Sequence, residues 1–210
     1  MYNLFGDKEK LAIEYEFLPN PNLESRLLSD TWGIFKFWIN GVEICQYMQE
    51  ELICDYNWNL YYIVEWFCEK LEYIMGYDPF PLPVNGNNVL ELIENADNFE
   101  SNDNCEIDLW YGAKSRWIFN HCWFSNRDGS ILPCVYFRRI EKTIEISWDN
   151  AFWMSEGKFF LTQNGVFYIS YLLFKQIVFD FLNSIIAELE LKIIDKNIIK
   201  KWKNFLSIIN

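Results

Sequence analysis

Asn40-Gly41 sits between two apolar runs, Trp32–Ile39 and 42–47, and this arrangement leaves little freedom of local structure. An Asn-Gly pair takes positive φ cheaply, so it closes a two-residue hairpin and pairs the two runs antiparallel. A second hairpin is expected from 134–140 and 143–148 around Glu141-Lys142, a less favoured turn pair. Ile13, Tyr15 and Phe17 alternate with Glu14 and Glu16 in the period-two pattern of a half-buried strand. The loop Pro19-Asn20-Pro21-Asn22 ends that strand. A further strand is expected at 158–162, stopping at Asn164-Gly165.

Helical spacing appears elsewhere. Leu60, Ile63, Val64, Phe67, Leu71 and Ile74 place a helix over 59–75, with Gly76 as its C-terminal cap and Glu65, Glu69 and Glu72 facing solvent. The run Asp78-Pro79-Phe80-Pro81-Leu82-Pro83 cannot continue it and reads as an extended connector. A short helix follows at 88–95, then a polar, acidic loop over 95–106, a helix over 110–120 and a turn at Asn126-Arg127-Asp128-Gly129. Two helices close the chain, about 168–191 and 195–207. Within 166–187, the most apolar stretch, Lys175, Gln176, Asp180, Asn183 and Ser184 form a polar stripe, which fits a core helix and not a membrane span.

Hairpins without strand-helix-strand alternation imply an α+β fold: an antiparallel sheet packed by helices on one face, with a C-terminal helical pair. With 210 residues, 51% of them hydrophobic, one domain over 1–210 is expected, without internal repeats. The N-terminal residues show no signal-peptide pattern, so the six cysteines are expected as free thiols in a cytoplasmic protein.

Charge is the most informative functional feature. The formal net charge is -12, which disfavours direct nucleic-acid binding because phosphate contacts need clustered bases. Between Glu43 and Asp108 lie fifteen carboxylates and a single base, Lys70, so this third of the chain carries a net -14 and the rest +2. Such a segment is either a solvated face or a surface complementary to a positive groove. Lys192, Lys196, Lys200, Lys201 and Lys203 give the C-terminus the opposite sign, where cations complement helix dipoles. Trp58, Tyr62 and Trp66 lie on or beside the acidic helix, and residues 58 and 62 share a face away from its core stripe, so they are candidate interface anchors. The expected binding set is Glu51, Asp55, Trp58, Tyr62, Glu65, Trp66, Glu69, Glu72, Glu94, Asp97, Glu100 and Asp103.

Catalytic motifs are sparse. The chain has one histidine, His121. A zinc set could be drawn from Cys105, His121, Cys122 and Cys134, but no Cys-x-x-Cys pair nucleates it, so no metal or cofactor is expected. In the second hairpin, Arg138 and Arg139 must point to opposite faces, and one is expected to pair with an acid across the hairpin while the other is solvated.

Trp32-Gly33 before a strand, Glu65-Trp66 in a helix, the Pro-rich connector, Phe137-Arg138-Arg139 and the run Ile144-Glu145-Ile146-Ser147-Trp148-Asp149 resemble a group of uncharacterised bacterial proteins over about residues 30–150. Some of that group occur with phage-defence or mobile-element genes, or joined to a zinc-peptidase-like domain. The resemblance implies conflict biology and assigns no catalytic residues; the peptidase motif is missing.

The leading expectation is a non-catalytic acidic module that inhibits or assembles with a basic, nucleic-acid-handling protein, as an immunity, anti-defence (for example anti-CRISPR) or defence-complex component. One alternative is an enzyme with a site around Arg138, Trp148, Asp149 and His121. Another is a structural subunit that associates with itself or with a larger assembly.

Overall fold

The computed structural model describes residues 2–21, 31–100, 103–193 and 195–209. Among the described residues, three antiparallel sheets and six α-helices make up an α+β architecture. The first sheet runs β1 (Asn3–Asp7), β2 (Leu11–Phe17), β3 (Trp32–Ile39), β4 (Val42–Glu43), with β7 (Asn57–Asn59) also paired to β3. The second, small sheet orders β10 (Phe159–Phe160), β5 (Tyr47–Gln49), β6 (Leu52–Cys54). The third orders β11 (Asn164–Ser170), β9 (Thr143–Asp149), β8 (Val135–Ile140).

The Asn-Gly hairpin forms as its chemistry requires. Asn40 and Gly41 have φ of 49° and 79°, and Ile39 pairs with Val42. The second arm is short, because the chain leaves the sheet at Glu43 and Tyr47 pairs instead with Cys54 in the small sheet. In the second hairpin Glu141 carries the positive φ, and Ile140 pairs with Thr143.

Helix α1 (Tyr61–Met75) ends at Gly76, whose backbone is extended and not left-handed; its N–H still donates to the Glu72 carbonyl at 2.9 Å. Helix α2 (Val89–Asp97) starts at Asn88, which caps the Glu91 N–H, and α3 (Asn104–His121) starts at Asp103, which accepts from the N–H groups of Cys105 and Glu106. Both ends of the acidic loop expected over 95–106 are therefore helical, since α2 reaches Asp97 and α3 begins at Asn104. A 3-10 turn (Trp123–Asn126), α4 (Ala151–Ser155), α5 (Tyr171–Lys192) and α6 (Lys196–Ile209) complete the chain.

Two further expectations are corrected. Asn164-Gly165 opens β11 instead of ending a strand, and residues 168–170 belong to that strand, so α5 begins only at Tyr171, capped by Ser170. Gly165 is needed where it is: a Cβ there would lie 2.1 Å from the indole of its cross-strand partner Trp148. Strand β1 and the short strands β5 to β7 lacked a readable pattern. In the loop expected to follow β2, Asn22 lies outside the described residues.

Helix α5 buries nine side chains, among them Phe174, Phe181 and Leu189. Its polar stripe behaves as expected: Gln176, Asp180 and Asn183 are exposed, while Ser184 reaches the Tyr15 hydroxyl at 3.0 Å. No described helix is long and apolar enough to cross a membrane. Ring pairs Phe37–Phe137 (6.0 Å), Phe35–Phe181 (6.0 Å), Phe67–Phe181 (6.1 Å) and Trp123–Phe37 (5.2 Å) tie the first sheet, the third sheet, α1 and α5 into a continuous core. Helix α6 lies against α1 and α5, and Lys196 donates to the last carbonyls of α5, at Glu190 and Ile193.

Candidate functional site

The third sheet and α2 together line a cleft with polar walls. Along α2 the residues at i, i+3 and i+7, namely Val89, Leu92 and Ala96, are buried. The adjacent stripe, Leu90, Ile93, Glu94 and Asp97, stands above the sheet. With Asn98, Tyr136 of β8 and Asp149 of β9 it encloses a cleft of about 330 Å³. Leu90 and Ile93 contribute apolar surface to it, and Glu94, Asp97 and Asp149 contribute carboxylates.

A buried carboxylate holds α2 in this place. Glu145 on β9 is fully buried; its Oε1 accepts from the Val89 N–H at 2.6 Å, in the first turn of α2, and from the Ser147 hydroxyl at 2.5 Å. Its Oε2 accepts from Arg138 Nε at 2.9 Å and Nη2 at 2.5 Å. The negative charge thus meets both a guanidinium and the positive end of a helix. Arg139, on the opposite face of the strand, donates to the Met75 carbonyl at 2.5 Å and covers the Tyr171 ring at 4.2 Å. The expected pairing of one arginine with an acid across the hairpin therefore holds, but Arg139 is half-buried against Met75 and Tyr171 and not solvated as expected, so both arginines do structural work.

The twelve expected binding residues do not form one surface. Asp55 pairs with Lys36 at 2.8 Å, and Glu69 with Lys201 at 2.6 Å. Glu65 accepts from the Tyr61 hydroxyl at 2.6 Å and from Asn126 at 3.2 Å. Glu72 is exposed on α1, and Glu51 is exposed at the tip of the β5–β6 hairpin. Glu94 and Asp97 lie on α2, Glu100 shortly after it and Asp103 at the N-cap of α3, although Asp97 pairs with Lys114 of α3. Outside the expected set, the exposed Glu106 and Asp108 extend this region along the first turns of α3.

The aromatic anchors are corrected. Trp66 is 2% exposed, its ring 5.3 Å from Phe67 and 5.5 Å from Phe137, so it belongs to the core. Trp58 is half-buried against Trp32 at 5.3 Å, and Tyr62 is half-buried against Tyr61 at 5.4 Å. The face assignment assumed a helix covered on one side, whereas α1 is flanked by α3, α5, α6 and β8.

The residues named for an enzyme also separate. His121 is fully buried and stacked on Trp117 at 4.0 Å, with Nδ1 2.8 Å from the Trp117 carbonyl. Burial holds its imidazole below the usual histidine pKa. Arg138 is committed to Glu145, Trp148 is buried, and only Asp149 opens onto the cleft, where neither His121 nor Arg138 contributes a wall. As for zinc, sixteen residues of α3 separate Cys105 from His121, roughly 24 Å along a helix. Among the described residues no three His, Cys, Asp or Glu side chains converge as metal ligands.

Sequence reasoning missed Leu90, Ile93, Asn98 and Tyr136. The spacing of Leu90, Ile93, Glu94 and Asp97 along one helical face was a usable signal; the position of Tyr136 beneath them required the fold. No family model, curated protein or solved structure matches the chain.

Proposed function

We propose that the chain is a non-catalytic, acidic protein-binding module that docks onto a basic protein of the kind that handles nucleic acid, in the manner of an immunity, anti-defence or defence-complex component. The observation that carries this reading is the cleft between α2 and the third sheet, where the carboxylates of Glu94 and Asp149, together with Asp97 in its pair with Lys114, stand beside apolar Leu90 and Ile93. A lysine or arginine of a partner fits such a site, its methylenes against Leu90 and Ile93 and its charge between Glu94 and Asp149. Exposed Glu100, Asp103, Glu106 and Asp108 continue the negative field beyond it. Spaced carboxylates of this kind compete with a phosphate row for a positive groove, which supports the nucleic-acid-handling partner.

The test is capture of the partner from the native host or its phage, followed by binding measurements with the purified pair. Affinity is expected to weaken by about tenfold or more between about 50 mM and 300 mM salt, and by about tenfold in Glu94→Gln/Asp149→Asn. Affinity flat in both comparisons overturns the reading.

A second reading, self-assembly, has its own observation. Strand β6 is an edge of the small sheet, and Leu52 and Ile53 on it are 68% and 63% exposed. Such an edge can add a strand from a second copy. Sedimentation velocity should then show a dimer that Ile53→Lys disperses; a monomer at high concentration removes this reading.

A further inference from the structure

The geometry points to Cys122 and Cys134 as a redox-active dithiol that closes to a disulfide when the protein meets a peroxide. All six cysteines are free, and these two stand with Sγ atoms 3.5 Å apart. Their approach follows from strand pairing. Cys122 makes an antiparallel bridge to Tyr136, which puts both side chains on one face. Cys134 precedes Tyr136 by two residues and shares that face. The sulfurs are already in contact, and closing the bond shortens their separation by about 1.5 Å.

The two thiols are not equivalent. Cys122 is 2% exposed, whereas Cys134 is only partly buried and donates its thiol hydrogen to the Tyr136 hydroxyl oxygen at 3.4 Å. The Cys122 thiol, as donor to the Cys134 sulfur, holds the pKa of Cys134 below the usual cysteine value, while burial pushes Cys122 up. Cys134 is therefore the attacking thiolate and Cys122 the resolving thiol.

The chemistry balances with hydrogen peroxide as oxidant. The Cys134 thiolate attacks one peroxide oxygen, the O–O bond breaks, and the departing hydroxide takes up a proton to become water. Cys134 is now a sulfenic acid. The Cys122 sulfur attacks it, the S–S bond forms as the S–O bond breaks, and the leaving hydroxide takes the Cys122 proton as a second water. Two thiols lose two electrons, and the peroxide is reduced to two waters. The bond ties the C-terminus of α3 to the start of β8 across the 3-10 turn.

The experiment treats the folded full chain with hydrogen peroxide, alkylates the remaining thiols and digests with trypsin. Cleavage after Arg116, Arg127 and Arg138 gives peptides 117–127 and 128–138, each with one cysteine. Expected are an intact mass lower by about 2 Da, reversal by a dithiol reductant, and a cross-link joining these two peptides. Cys134→Ser, or Cys122→Ser if the first variant misfolds by circular dichroism, should abolish the cross-link while the exposed Cys105 still reacts. A disulfide between any other pair, Cys134 oxidised to a sulfinic acid without the cross-link, or Cys134 still alkylatable after Cys105 has been oxidised would each overturn the assignment.

Discussion

Replacing Glu145 by Ala should lower the free energy of unfolding by about 3–5 kcal/mol, read from urea denaturation. The substitution leaves Arg138, whose side chain is 14% exposed, with a buried charge and no counter-ion, and deprives the Val89 N–H of its acceptor. Removal of one member of a buried pair is costly because the remaining charge keeps its desolvation penalty. Glu145→Gln is the informative contrast. Its amide oxygen can still accept from Val89 and Ser147, so α2 should stay docked and its amides protected from hydrogen exchange even though the ion pair is lost. In Glu145→Ala that protection should fall together with global stability. An unchanged urea midpoint would show that α2 is held by its apolar contacts alone.

The second expectation concerns Glu43. Its side chain is buried, with Oε1 accepting from the N–H groups of Cys45 at 2.8 Å and Phe37 at 3.3 Å, while Oε2 has no hydrogen-bond partner. Burial pushes its carboxyl up to about 7, against the opposing pull of those two N–H groups. A group whose pKa is raised in the fold contributes most stability below its unfolded value, near 4.5, and that contribution is lost as pH rises through about 7. The gap corresponds to about 3 kcal/mol. Glu43→Gln cannot ionise, so its stability relative to the parent should increase by about 3 kcal/mol between pH 4 and pH 8. His121 works in the opposite sense, since its lowered pKa contributes stability above about 6.5 that is lost on acidification, but it is present in both proteins and cancels in the difference. A difference independent of pH would mean that Glu43 is solvated in the native state.

Much of the architecture was legible because local chemistry and packing agreed. Asn40-Gly41 demanded a tight turn, the 3.6-residue period of α1 and α5 demanded helices, and the polar stripe of α5 excluded a membrane span. The reading failed where tertiary contacts outweighed local pattern. Residues 168–170 look helical by apolarity, yet they complete the seven-residue ladder of β11 with β9. Residues 95–106 look like an acidic loop, yet Asp103 turns their end into a helix start.

The candidate site divides in the same way. Composition by itself determined that the middle third of the chain is an anionic segment, because a count of carboxylates requires no coordinates. Only the tertiary structure decided what each charge does: Glu43 is buried, Asp55, Glu69 and Asp97 are paired with Lys36, Lys201 and Lys114, and Glu94 joins Asp149 along a cleft. The physical reason is that charge is additive along a chain, whereas solvation and ion pairing depend on which distant residues the fold brings within a few ångströms.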